Sequence, residues 1–86
     1  KMNPVDFEQY KTQIEDAINI RIKNGSIKDP LGFILIDGFI NMSFNKKIEN
    51  SIIVGGPSVP CVSVVGKSTG LVYTFALKVL LPNIQI

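Results

Sequence analysis

The segment Val64-Val65-Gly66-Lys67-Ser68-Thr69-Gly70 brings together an ammonium, two hydroxyls and a glycine-bounded turn. Successive backbone N–H groups in such a turn can form a concave donor site for a phosphate or carboxylate. The Gly-Lys-Ser order invites comparison with the phosphate loop of nucleotide hydrolases, but the spacing is wrong. That loop requires a glycine five positions before Gly66, where this sequence has Cys61, and a helix afterwards, where residues 71–81 read as a strand. A hairpin turn carrying a solvated lysine is the simpler account. A second flexible loop, Gly55-Gly56-Pro57-Ser58, could join it across a subunit boundary. The corresponding ligand-binding set is Gly55, Gly56, Ser58, Lys67, Ser68 and Thr69, and its ligand would be an anionic or nucleotide-like small molecule.

The inventory for catalysis is short. Cys61 is a potential nucleophile, but the chain has no histidine to accept its proton and no acid near it in sequence. A buried, inert thiol is expected instead. Asp37 is accounted for by an Asp-Gly turn, and Glu49 stands alone. Seven scattered carboxylates and one cysteine assemble neither a metal site nor an acid–base pair. The expectation is a protein that is not an enzyme, with no catalytic residue, metal or cofactor. Tyr10, Tyr73 and the phenylalanines suit core positions better than a base-stacking platform.

Composition bounds the elements that hold these residues. The 86 residues, 45% of them hydrophobic, read as one domain over 1–86 that folds but buries only about 60–65% of its unfolded surface. Lys78 interrupts the longest apolar run, so no stretch approaches the roughly 20 residues of a membrane helix and the chain reads as soluble. Met2 reads as a natural start, and no basic stretch followed by an apolar run marks a leader. A single cysteine forms no internal disulfide, which favours a cytoplasmic setting. A net charge of +2 lacks the basic footprint of a nucleic-acid binder. The charge distribution is more telling: all seven acidic residues lie at or before Glu49, and residues 50–86 carry only Lys67 and Lys78.

Asn3-Pro4 reads as a helix start, and Phe7, Tyr10, Ile14, Ala17, Ile18 and Ile22 recur at helical spacing. Asn24-Gly25 supplies the left-handed residue that ends a helix over about 4–24. Asp37-Gly38 between two apolar runs predicts a type I′ hairpin. With a two-residue loop, Leu31, Phe33, Leu35, Ile40, Met42 and Phe44 share one face. Residues 51–54, 61–65 and 71–81 complete a meander of about five mainly antiparallel strands with the N-terminal helix packed on it, an α+β fold.

One helix covers one face of a sheet, and the other face is normally polar where it meets water. Here Ile34, Ile36, Phe39, Val72, Ala76 and Leu80 are expected on or near that second face. A closed or strongly curled sheet would hide them within one subunit. Otherwise they form an apolar patch larger than monomers usually show, and the chain is expected to be a homo-oligomer, its own partner, acting as a binding or assembly protein.

Overall fold

A computed structural model describes residues 5–47 and 57–86. The expected strand at 51–54, the loop glycines Gly55 and Gly56 and the Asn3-Pro4 start signal lie outside the described residues. The fold is α+β: an N-terminal helix, a small antiparallel sheet of four strands and a short C-terminal helix.

Helix α1 spans Phe7–Lys23 and starts later than the sequence signal suggests. Asp6 is its cap, with an extended backbone and a carboxylate that accepts the Glu8 N–H at 3.1 Å. Its far end follows the expected pattern. Gly25 takes φ +82°, and the Ser26 N–H reaches back to the Arg21 carbonyl at 2.9 Å. The apolar stripe faces inward, with Phe7, Ile14, Ala17 and Ile18 buried and Tyr10 and Ile22 packed at its margins.

The sheet corrects the hairpin expectation. Strands β1 (Phe33–Leu35) and β2 (Ile40–Ser43) do not pair with each other; both pair antiparallel with the long β3 (Ser58–Gly66). They form one interrupted course. Leu35 lies opposite Val64 and Ile40 opposite Cys61, so the four residues Ile36 to Phe39 span the distance of two on β3. This is a bulge of two extra residues, closed by the Gly38 N–H on the Ile36 carbonyl at 3.0 Å. Gly38 has no positive φ, which a type I′ turn would require.

The correction changes which residues share a face. A hairpin would place Ile40 and Met42 with Phe33 and Leu35, whereas a continuous course with an even insertion keeps its alternation and sends them to the opposite side. Phe39 instead turns inward, its ring edge-on to Phe7 with centroids 5.3 Å apart.

The course formed by β1 and β2, then β3, then β4 (Val72–Ala76) runs as a meander. Pro60 lies where β3 is flanked by β2 but not by β4, a position that tolerates a missing donor. The expected strand over 71–81 ends at Ala76, and Leu77–Leu80 form helix α2. Leu77, Leu80 and Leu81 fit a helical stripe as well as an alternating one, and a short apolar run does not separate the two periods. Leu77 and Leu80 thereby enter the core with Val62, Val64, Ile27 and Ile84, which removes Leu80 from the second face. The molecule measures 19 Å along its shortest axis, two layers deep.

Candidate functional site

The loop between β3 and β4 is a hairpin turn over residues 67–70. The Gly66 N–H donates to the Leu71 carbonyl at 2.8 Å, the Gly70 N–H to the Gly66 carbonyl at 2.8 Å, and Gly70 adopts φ +74°. A strand follows the turn, as the spacing argument against a phosphate loop requires.

The donors of this turn already hold an anion, and it is internal. The Asp29 carboxylate accepts the Ser68 N–H at 3.1 Å and the Ser68 hydroxyl at 3.0 Å, as well as the Leu31 N–H at 2.9 Å. The connector containing Asp29 runs alongside the turn, because Lys67 donates its N–H to the Gly32 carbonyl at 3.0 Å. Gly66 permits this approach: a Cβ there would lie 2.5 Å from the Asp29 Oδ2. Partial desolvation pushes the Asp29 pKa up, but the hydrogen bonds from Leu31, Ser68 and Thr69 outweigh it and hold the group below the usual carboxylate range.

Among the described residues, the expected ligand set is divided within the chain. Lys67, Ser68 and Thr69 follow Gly66 at one end of β3, while Ser58 begins the strand at the other end, about 26 Å away at ~3.3 Å per residue. A cavity of about 590 Å³ between α1 and β1 reaches Lys67, but Glu15, Asp16 and Asp29 also line it. Its charge is mainly negative. Asp29 is the residue missed by sequence reasoning, since an Asp-Pro step signals a turn and says nothing of a partner 39 positions away.

Cys61 is buried, with its thiol on the Val59 carbonyl at 3.4 Å. Among the described residues, no group of three or more Cys, Asp or Glu could hold a metal ion, and no helix is long and apolar enough to cross a membrane.

The larger feature is the sheet face turned away from α1. Register places Ile34, Val65 and Val72 in one row across the sheet and Ile40, Cys61 and Ala76 in another, with Ser63 and Thr74 between them. The alternation adds Met42 and Val59 to this face. Ile34 is 55% exposed, Met42 52% and Val72 57%, whereas Cys61 and Ser63 in the middle are buried. The Ser63 and Thr74 hydroxyls bond each other at 2.7 Å, the principal polar contact on the face. None of these positions carries a charge. No family model, curated protein or solved structure matches the chain.

Proposed function

We propose that this chain is a non-catalytic assembly protein that associates with itself through the uncharged face of its sheet, in the cytoplasm. The single observation that carries the reading is the exposure of Ile34, Val72 and Met42 on one uncharged sheet face, with Ile34 and Val72 in one row and Met42 towards the other end of β3. Single exposed apolar residues are ordinary, but a contiguous patch is the mark of an interaction surface. Covering on the order of 600 Å² of it at roughly 25 cal/mol per Å² contributes about 15 kcal/mol before the costs of association. Those costs run from about 4 to 15 kcal/mol, so the balance lies between roughly zero and about 11 kcal/mol in favour of association.

The rival reading, an anionic small molecule held by Lys67, Ser68, Thr69 and Ser58 with Gly55 and Gly56, would need two subunits to bring the ends of β3 together. It would also need the ligand to displace Asp29 from Ser68. The two readings separate in solution. Light scattering on the purified chain at micromolar concentration should give a multiple of 9.5 kDa, and inorganic phosphate or nucleotides should leave its melting temperature unchanged. A 9.5 kDa particle overturns the assembly reading. A thermal shift abolished by Lys67→Ala would support the ligand reading in its place.

A further inference from the structure

We infer that the cavity between α1 and β1 is a binding site for a small organic cation with an apolar body, an aryl or alkyl ammonium. The site is independent of self-association, since it lies on the helix side of the sheet and the uncharged face lies on the other. The space exists because α1 approaches α2 more closely than it approaches β1. Phe33 and Leu35 alternate with the outward Ile34 and so point to the helix side; Leu35 stands opposite Val64, and Phe33 opposite Gly66, which contributes no side chain. Phe33, Leu35 and Val64 form an apolar floor, and Ile18 and Ile22, one turn apart, form the wall on α1. Val64 and Ile18 are buried, while Phe33, Leu35 and Ile22 stay partly exposed beside the open volume. A preformed space of about 590 Å³ with an apolar lining and a few convergent polar groups is the usual form of a small-molecule site.

The charges around the cavity select the ligand. Glu15 and Asp16 stand exposed on α1, and Asp29 is kept ionised by its hydrogen bonds, against the single ammonium of Lys67. Among the described residues the only salt bridge joins Lys11 to Asp37, so none of these three carboxylates has a paired cation. Nor do they converge closely enough to hold a metal ion. Spread around an apolar floor, they suit an ammonium whose hydrocarbon body fills the space between α1 and β1. The head gains from the negative field and the body from removal of apolar surface from water. An anion of the same size would meet three carboxylates and one ammonium.

The chain has no tryptophan, so the indole of tryptamine reports its own binding by fluorescence. Titrated with the full chain, tryptamine emission should move to shorter wavelength and saturate. Indolepropionate, with a carboxylate in place of the ammonium, should not respond. Glu15→Gln combined with Asp16→Asn should raise the tryptamine Kd about tenfold, as expected for the loss of two exposed charges. Lys67→Ala should lower the Kd by removing the one like charge, and Ile22→Phe should raise it by filling the cavity from the α1 wall. Circular dichroism melts check that each variant is folded. Equal responses to tryptamine and indolepropionate would overturn the cation site, as would a Kd indifferent to the charge variants or a lack of saturation at millimolar tryptamine. None of the substituted residues lies on the uncharged sheet face, so each of these results leaves the assembly reading standing.

Discussion

Gly38 and Gly70 provide a clean test of the sheet connectivity. A Cβ added at either glycine meets no atom within 4 Å, so Ala substitution at each measures backbone conformation rather than packing. Gly70 sits at φ +74°, where an L side chain costs about 1–2 kcal/mol. Gly38 has no positive φ, and replacing it by Ala removes unfolded-chain entropy worth about 0.4–1 kcal/mol in favour of folding. Gly70→Ala should thus lower stability and Gly38→Ala should leave it unchanged or raise it, a separation of about 1.5–3 kcal/mol. At roughly 4–8 °C per kcal/mol for a chain of this size, the melting temperatures should differ by about 6 °C at least. Both variants and the wild type are melted at one protein concentration, because association makes the midpoint depend on it. Equal losses at the two glycines would mean that Gly38 occupies the left-handed region, and the Asp37-Gly38 hairpin would replace the bulged course.

Other outcomes follow from single contacts. Ile14→Ala should cost about 2–5 kcal/mol in urea unfolding, because Ile14 is fully buried, while Ile20→Ala on the exposed side of the same helix should stay within about 0.5 kcal/mol. Thr74→Val strands the buried Ser63 hydroxyl and should cost about 1–3 kcal/mol, whereas adding Ser63→Ala should recover most of the loss; two additive losses would contradict a paired role for the hydroxyls. Asp29 has a lowered pKa in the fold, so its ionised form contributes stability above its unfolded value of about 3.9, and that contribution drains as pH falls through the lower folded value. Asp29→Asn should therefore be less stable than wild type near neutrality, and the gap in urea midpoint should close on acidification; a gap independent of pH would refute the clasp between Asp29 and Ser68.

Local signals in this sequence were readable and distant ones were not. The stripe from Phe7 to Ile22 announces α1, Asn24-Gly25 announces its end, and the glycines around Lys67 announce a turn between strands. Each signal depends on neighbours a few positions apart. Asp37-Gly38 misleads because the apolar runs on both sides fit two registers equally well: pairing with each other, or lying end to end beside β3. Nothing near Asp37 shows that β3 is nine residues long and able to serve both runs. The same limit hides Asp29, whose partner Ser68 is 39 positions away. The second face was anticipated in kind, from the lack of charge after Glu49, but its membership changed with the register. Ile34, Val72 and Ala76 are on it, Phe39 and Leu80 pack into the core, and Ile40 and Met42 join from the side they were expected to share with Leu35.

Sedimentation equilibrium over a hundredfold dilution series tests the central claim most directly. If the uncharged sheet face is an interface between copies, the weight-average mass should rise with concentration to a plateau at a whole multiple of 9.5 kDa. A mass that stays at 9.5 kDa throughout would show that Ile34, Met42 and Val72 face water without a second copy, and would contradict the account.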